Sequence, residues 1–204
     1  MNKQQLLKSL KEMGFSKKIL DAFSAVKRED FVPSELKYKA YEDTPLPIGH
    51  GQTISMPYVV AVMLSELNLK KGQKVLELGS GCGYVLALIS EIVGNGGNVF
   101  GVEILSELAQ KSKENLENYN NIQIYNKSGF RGLPEQAPFD RILVSAACRE
   151  LPEALLGQLK EGGILVLPKG PRFEQELIVF QRKGNIFEIK KKIPGFIFVP
   201  FVGD

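Results

Sequence analysis

Apolar side chains at helical spacing open the chain. Leu6, Leu7, Leu10 and Met13 recur among lysines and predict a docked amphipathic helix. Ser16 is a typical N-cap residue, and the apolar positions that follow it, up to Val26, predict a second helix. We therefore expect a helical N-terminal extension.

The stretch from 41 to 56 shows no periodicity. Prolines and glycines crowd it, yet it retains apolar Leu46, Ile48 and Ile54. We interpret it as a loop, and long apolar loops in compact domains are usually functional. Pro57 then suits the first turn of a helix whose apolar positions extend to Leu67.

From residue 74 onward, short apolar runs alternate with helical patterns. Strands are predicted at 75–78, 99–102, 122–125, 141–145 and 163–167, and helices at 84–93, 106–119 and after Pro152. Such alternation predicts a parallel sheet covered by helices. Three further strands, at 177–181, 186–189 and 196–202, have no helix between them and should be antiparallel. We expect a single α/β domain, in which residues 1–56 precede a core of residues 57–204.

Composition narrows the class of protein. The chain has 204 residues, 44% of them hydrophobic, and a net charge of only +3, which fits one globular core. Acidic side chains outnumber basic ones between residues 41 and 176, which argues against a nucleic-acid partner. Two cysteines, no cleavable signal and no apolar run long enough for a bilayer favour a cytoplasmic protein without a membrane partner, which we expect to be a monomer.

The strongest chemical signal is the glycine loop, Glu77-Leu78-Gly79-Ser80-Gly81-Cys82-Gly83, between a predicted strand and a predicted helix. Glycines let the backbone approach a ligand closely and expose N–H groups at the start of a helix. Glu103 follows at the end of the next strand, where an acid can bind a ribose diol. Together they indicate a nucleoside-containing cofactor.

The spacing of the glycines separates the cofactor classes. A dinucleotide fingerprint needs a small residue at Tyr84, and a phosphate-binding P-loop needs a lysine that this loop lacks. Gly-x-Gly-x-Gly preceded by Glu77 resembles the cofactor site of the Rossmann-like S-adenosylmethionine-dependent methyltransferases. That resemblance implies their fold, here with antiparallel C-terminal strands.

Other segments resemble the protein-L-isoaspartate O-methyltransferase family. They are Val26-Lys27-Arg28-Glu29-Asp30-Phe31-Val32-Pro33, Ala40-Tyr41-Glu42-Asp43, Leu46 to Ser55 with its Gly51-Gln52-Thr53-Ile54-Ser55 motif, Ala137-Pro138-Phe139-Asp140, Leu159-Lys160-Glu161-Gly162-Gly163 and Phe198-Val199-Pro200. The resemblance implies methyl transfer from S-adenosylmethionine to the free carboxylate of an isoaspartyl residue in a damaged protein. The resulting ester closes to a succinimide that reopens partly to aspartate.

The resemblance also assigns the site. It places Ser55 at the reacting centre as the catalytic residue, although Ser55 could instead cap the helix at Pro57. Cofactor-binding residues by resemblance are Gln52, Thr53, Ile54, Glu77, Gly79, Ser80, Gly81, Gly83, Glu103, Ser128 and Gly129. Substrate-binding residues are Ile48, Ser55, Val199 and Pro200.

A carboxylate acceptor explains what the sequence lacks. It is already ionised at neutral pH, so no general base is needed and the single histidine, His50, need not be catalytic. No second ligand is suitably spaced from His50, so we predict no metal. Cys82 has no histidine near it in sequence and is assigned to packing.

Two other functions stay open. One is methylation of a different acceptor, against which stands the lack of an Asn/Asp-Pro-Pro-aromatic motif where Ser145-Ala146-Ala147-Cys148 occurs. The other is a non-catalytic relative that binds the cofactor weakly. It is suggested by Lys127-Ser128-Gly129, where the family usually carries Gly-Asp-Gly and the acid accepts a hydrogen bond from the adenine amine.

Replacing Ser128 by aspartate should restore that acceptor. A charged acceptor strengthens such a bond by about 1 kcal/mol, so Ser128→Asp should lower the dissociation constant of the cofactor by roughly several-fold to tenfold. Calorimetric titration with S-adenosylhomocysteine measures it. An unchanged or higher dissociation constant would contradict the assignment of Ser128.

Overall fold

The helices and strands come from a computed structural model that describes residues 1–171 and 173–201. The helices are α1 (Lys3–Glu12), α2 (Lys17–Ala25), α3 (Pro57–Leu67), α4 (Tyr84–Val93), α5 (Ser106–Asn115) and α6 (Glu153–Leu156). The strands are β1 (Leu46–Gly49), β2 (Gln52–Ile54), β3 (Lys74–Leu78), β4 (Asn98–Glu103), β5 (Ile122–Asn126), β6 (Phe139–Val144), β7 (Leu159–Lys169), β8 (Gln175–Lys183) and β9 (Ile186–Phe196).

The two N-terminal helices are confirmed. Asn2 and Gln5 form a reciprocal capping box at the start of α1, and Leu6 and Leu10 are buried. Met13, expected on the same apolar face, is 55% exposed because the helix ends before it. Ser16 occupies the N-cap of α2, but its side chain makes no capping bond.

The predicted loop between Tyr41 and Met56 is in part wrong, because it contains an antiparallel hairpin. Strands β1 and β2 pair Leu46 with Ile54, and both side chains are buried. Gly49, His50 and Gly51 turn the chain with three successive positive φ angles, which only glycine adopts without strain. Strands of three and four residues, one containing a proline, are too short to show a period of two.

The second sheet has seven strands in the order β5-β4-β3-β6-β7-β8-β9. Strands β3 to β7 are mutually parallel, while β8 and β9 are antiparallel to their neighbours, so the predicted mixed α/β fold is confirmed. Because the strand order reverses beside β3, the carboxyl ends of β3, β4 and β6 lie side by side, where α/β proteins bind ligands.

Several predicted elements have different bounds. The strand predicted at 163–167 spans Leu159–Lys169, and the strand predicted at 186–189 extends to Phe196. Helix α5 ends at Asn115 instead of Tyr119, and α6 has only four residues. The predicted strand at 196–202 is wrong over its described part, since β9 ends at Phe196 and only an isolated bridge joins Pro200 to Ala147. Val202 lies outside the described residues.

Apolar side chains fill both faces of the seven-stranded sheet. The face covered by α2, α3 and α4 carries the larger cluster, and the opposite face is centred on Leu76, Phe100 and Phe139. Among the described residues, no helix is both long and apolar enough to cross a bilayer.

Gly83, the N-cap of α4, lets α4 approach α5 closely. Its φ is +88°, and an added Cβ would lie 2.5 Å from Ser112 Oγ and 2.6 Å from Leu116 Cδ1. Overpacking of this kind destabilises by roughly 1–3 kcal/mol. Gly83→Ala should therefore lower the free energy of unfolding, measured with urea, by that amount more than Gly14→Ala does. Gly14 has nearly the same φ, +87°, but open space around it; equal losses would contradict the packing role.

Candidate cofactor and substrate site

Two adjoining pockets, which share Ile48, Thr53, Gly79, Gly81 and Ser145 and are together called the cavity, lie at the carboxyl ends of β3, β4 and β6. Its walls are the glycine loop, the β1–β2 hairpin and residues 199–201. The last of these walls is held by backbone hydrogen bonds to Ala147 on both sides, from Ala147 N–H to the Val199 carbonyl (2.8 Å) and from Phe201 N–H to the Ala147 carbonyl (2.9 Å). The cavity is therefore built from segments far apart in sequence.

The glycine loop is tied to the neighbouring strand. The N–H groups of Gly79 and Ser80 both donate to the carbonyl of Val102, at 2.9 and 3.2 Å. A Cβ on Gly81 would approach Ile48 Cδ1 to 3.2 Å, so the hairpin packs directly over the loop. Small residues here keep the backbone accessible between the two walls.

Glu103 is fixed at the end of β4. Its carboxylate is buried and accepts N–H bonds from Gly81 (2.8 Å) and Leu105 (3.0 Å), while the Asn126 side chain donates to its carbonyl at 2.9 Å. Two backbone donors leave lone pairs of the carboxylate available, because an ionised carboxylate accepts about four bonds. Glu103 can therefore bind a diol while remaining rigid.

Glu77 is the more unusual acid. It is 1% exposed, and burial raises its pKa to about 8, although the hydrogen bond from Ser145 Oγ (2.6 Å) opposes the rise and nearby Glu103 adds to it. Its other oxygen, Oε2, has no partner among the described residues, and neither does buried Ser80 Oγ. Buried polar atoms are rarely left unpaired, so the Glu77 oxygen indicates a site shaped for a polar, donating ligand, whereas the Ser80 hydroxyl lies beside Gly101 of β4.

Ser55 lies at the junction of the hairpin and α3, half-buried, and lines the cavity with Thr53 and Glu77. Met56, not Ser55, is the N-cap of α3, and the helix has no side-chain cap at that position. The carboxylate of Asp43 instead accepts the Tyr58 N–H at 2.8 Å. The alternative that Ser55 caps the helix is therefore wrong.

Arg28 fixes the backbone of the Ser55 segment. Its side chain is fully buried and donates to the carbonyls of Ser55 (2.9 Å) and Thr44 (3.5 Å). The guanidinium lies 5.1 Å from the ring centroid of Tyr84, and burial lowers the pKa of Arg28. A buried charge held by carbonyl oxygens fixes two loop segments at once.

Most residues assigned from the sequence meet at the cavity. Those that line it are Ile48, Gln52, Thr53, Ile54, Ser55, Glu77, Gly79, Ser80, Gly81, Glu103, Gly129, Val199 and Pro200. Two assigned residues do not line the cavity. Gly83 faces α5, and Ser128 precedes the lining residue Gly129, with its hydroxyl accepting from the Phe130 N–H at 3.4 Å.

Several lining residues escaped the sequence analysis. Ser145 donates a hydrogen bond to Glu77. The signal that could have found it is its position directly after the carboxyl end of β6. Ile104, directly after Glu103, places an exposed apolar side chain at the cavity. The roles of Arg28 and Asp43 had no local signal, since both act on backbone groups far along the chain.

Neither Cys82 nor His50 provides a nucleophile or a metal site. Burial raises the pKa of Cys82 to about 11, so its thiol is neutral at physiological pH and serves packing. His50 lies at the tip of the hairpin and lines the cavity. Within residues 1–171 and 173–201, no cluster of three His, Cys, Asp or Glu side chains is arranged to hold a metal ion.

Comparison with known proteins identifies close relatives. The sequence profile of the protein-L-isoaspartate(D-aspartate) O-methyltransferases matches residues 1–204. The protein-L-isoaspartate O-methyltransferase of Methanothrix thermoacetophila is 45% identical over 205 residues, covering 100% of this chain and 96% of the relative. That of Ignicoccus hospitalis is 44% identical and covers 98% of this chain and 97% of the relative.

Solved structures agree with these relatives. One protein-L-isoaspartate O-methyltransferase superposes with a TM-score of 0.90 at 31% identity, over 99% of this chain and 66% of its own. Another, from Plasmodium falciparum and in complex with S-adenosyl-L-homocysteine, has a TM-score of 0.88 at 29% identity over 100% of both chains.

Removing the ionisable group at Glu77 should change how stability depends on pH. Because its folded pKa is raised from 4.5 to about 8, the proton stabilises the folded state below pH 4.5, and this stabilisation is lost as pH rises through 8. The Glu77→Gln variant has no titrating group at this position, so it does not lose stability as the pH rises. Its free energy of unfolding should rise relative to the native protein between these pH values, by up to about 5 kcal/mol. Urea denaturation from pH 5 to 9 tests this, and a pH-independent difference would contradict it.

Proposed function

Because the chain belongs to the protein-L-isoaspartate(D-aspartate) O-methyltransferase family, we propose a role for each group that lines its cavity. The enzyme uses S-adenosylmethionine to methylate the free carboxylate of isoaspartyl residues in proteins. The observation that carries the proposal is that two adjoining pockets meet at the glycine loop, one lined by Glu103 and the other by Ser55.

The cavity fits S-adenosylmethionine chemically. When bound, this cofactor supplies an electrophilic methyl group on a sulfonium centre. The unpaired Oε2 of Glu77 suits the donating ammonium of its methionine part, and Ser80 of the glycine loop lines the cavity beside it. Gly79 and Gly81 leave room for the backbone to approach it. The acceptor groups of the cavity therefore match a cationic cofactor.

Other residues hold the rest of the cofactor. The fixed carboxylate of Glu103 accepts from the ribose hydroxyls, and Ile104 offers an apolar surface to the base. Gly129, which lines the cavity, and Ser128 beside it would contact the base. Residues Gln52, Thr53 and Ile54, from the hairpin, close the cavity over the cofactor and exclude water from the methyl group.

Ser55 orients the acceptor. Its hydroxyl donates to one oxygen of the isoaspartyl carboxylate and leaves the other free to attack in line with the methyl group. Ile48, Val199 and Pro200 form the apolar surround that positions the substrate backbone. Since the carboxylate is ionised at neutral pH, these residues align it without removing a proton.

We also propose that the enzyme acts in the cytoplasm as a monomer, without a nucleic-acid or membrane partner. Its two cysteines are free and buried, as suits a reducing compartment. The region that forms most of the cavity, residues 41–176, carries more acidic than basic side chains. Such a surface disfavours a phosphate backbone.

Ser55→Ala should lower kcat/KM for an isoaspartyl peptide by roughly tenfold to a hundredfold, because a hydrogen bond to a charged group contributes about 1.5–3 kcal/mol. Methyl incorporation from labelled S-adenosylmethionine measures it, with the normal-aspartyl twin peptide as the blank.

Ser65→Ala is the matched control, because Ser65 lies on the exposed face of α3, the helix that follows Ser55. It should keep native kcat/KM. Equal kcat/KM for Ser55→Ala and the native enzyme would remove Ser55 from the reacting centre.

A further inference from the structure

The turn between α4 and β4 carries a reactive dipeptide. Asn95-Gly96 is the only Asn-Gly pair in the 204 residues. Glycine after asparagine offers no Cβ to hinder the backbone nitrogen from approaching the side-chain amide of the asparagine. Intramolecular attack of this kind needs both groups to be free and close, and adjacent residues supply the proximity.

The structure leaves both groups free. Asn95 and Gly96 are exposed, and a Cβ built on Gly96 would meet nothing within 4 Å. Within the described residues, neither the Gly96 N–H nor the Asn95 side-chain amide has a hydrogen-bond partner. The turn is tied only at its ends, where the Gly94 carbonyl accepts from Gly97 N–H (2.9 Å) and from the Asn121 side chain (3.1 Å).

We propose that Asn95 is a site of spontaneous isoaspartate formation and that the isoaspartate formed there is a substrate for a second copy of this chain. The Gly96 nitrogen bonds to Asn95 Cγ, the C–N bond of the side-chain amide breaks, and ammonia leaves with the nitrogen's proton. The product is a succinimide. Water then adds to its α-carbonyl carbon, the bond from that carbon to the Gly96 nitrogen breaks, and the chain continues through Cγ with a free α-carboxyl group.

The enzyme's reaction consumes this product. Its carboxylate oxygen bonds to the methyl group of S-adenosylmethionine as the carbon–sulfur bond breaks, leaving S-adenosylhomocysteine. The Gly96 nitrogen then attacks the ester carbon and expels methanol, which regenerates the succinimide. Opening at the other carbonyl gives aspartate at position 95 with a normal backbone.

Repair has to occur between molecules. The turn precedes β4, whereas the cavity lies at the carboxyl end of that strand, beyond Glu103. Six residues of strand, Asn98–Glu103, span roughly 20 Å at about 3.3 Å per residue. The damaged residue of one copy therefore reaches only the cavity of another copy. This step rests on the methyl transfer described above.

Asn98 provides an internal control for the formation of isoaspartate. It is also exposed, but Val99 follows it, and the Val99 N–H is engaged with the Asn121 carbonyl at 2.9 Å. Trypsin leaves both asparagines in the peptide 75–111, since no lysine or arginine lies between Lys74 and Lys111. Ageing the protein without cofactor and fragmenting this peptide by electron transfer should locate isoaspartate at 95.

Gly96→Ala is the matched variant, because its added methyl meets nothing in the fold. It should slow the loss of Asn95 by about tenfold, which corresponds to ~1.4 kcal/mol of activation free energy. Loss of Asn95 no faster than that of Asn98, or equally fast in Gly96→Ala, would overturn the proposed site.

The second copy is tested with a tagged, aged chain as acceptor and fresh untagged enzyme as catalyst. Methyl label should enter the aged tagged band, and much less should enter unaged or aged Gly96→Ala acceptor. An isoaspartyl peptide in the same tube reports the enzyme's own activity. If the peptide is labelled and an acceptor with isoaspartate at 95 is not, repair by a second copy is overturned; an unlabelled peptide would instead contradict the methyltransferase assignment.

Discussion

A fully buried guanidinium holds the Ser55 side of the cavity in place. Taking the charge of Arg28 out of water is costly. In return, its two terminal nitrogens bind the carbonyls of Ser55 and Thr44, and its Cζ lies over the ring of Tyr84. Asp43, in the same segment as Thr44, binds the first turn of α3. The N-terminal helices, the hairpin and α3 therefore meet at one point, and the position of Ser55 depends on it.

The side of the cavity around the glycine loop depends on a different balance of charge. Two acids, Glu77 and Glu103, are buried at neighbouring strand ends, and they are held in different ways. Backbone N–H groups satisfy the carboxylate of Glu103, whereas Glu77 has a single hydroxyl partner and a raised pKa. Glu103 is held rigid and keeps free lone pairs, and Glu77 keeps an unpaired oxygen, so the two acids match a ligand that carries hydroxyls at one end and a cation at the other.

The sequence alone was sufficient for the features that depend on local pattern. Hydrophobic period and glycine spacing predicted helix α4 with its observed bounds, the strands around it and the loop at Gly79. The motif around Ser55 predicted by resemblance a segment that does line the cavity. These features are encoded within a few consecutive residues, where side-chain alternation and backbone requirements are directly visible.

What the sequence did not reveal depends on long-range contacts. The hairpin was missed because its strands are too short for a period, and it is stabilised by burial of Leu46 and Ile54 in the body of the protein. The partnership of Ser145 with Glu77 joins residues 68 positions apart, and that of Arg28 with Ser55 joins residues 27 apart. No local propensity encodes such pairs.

The placement of the Asn95 turn and the cavity at opposite ends of β4 has a consequence for kinetics. A molecule that cannot bring its own damage to its own cavity repairs itself by collision, so the rate depends on the square of the enzyme concentration. Spontaneous cyclisation, in contrast, proceeds at a rate per molecule that dilution does not alter. The fraction of intact enzyme is therefore a property of the population: abundant enzyme maintains itself, while scarce enzyme ages.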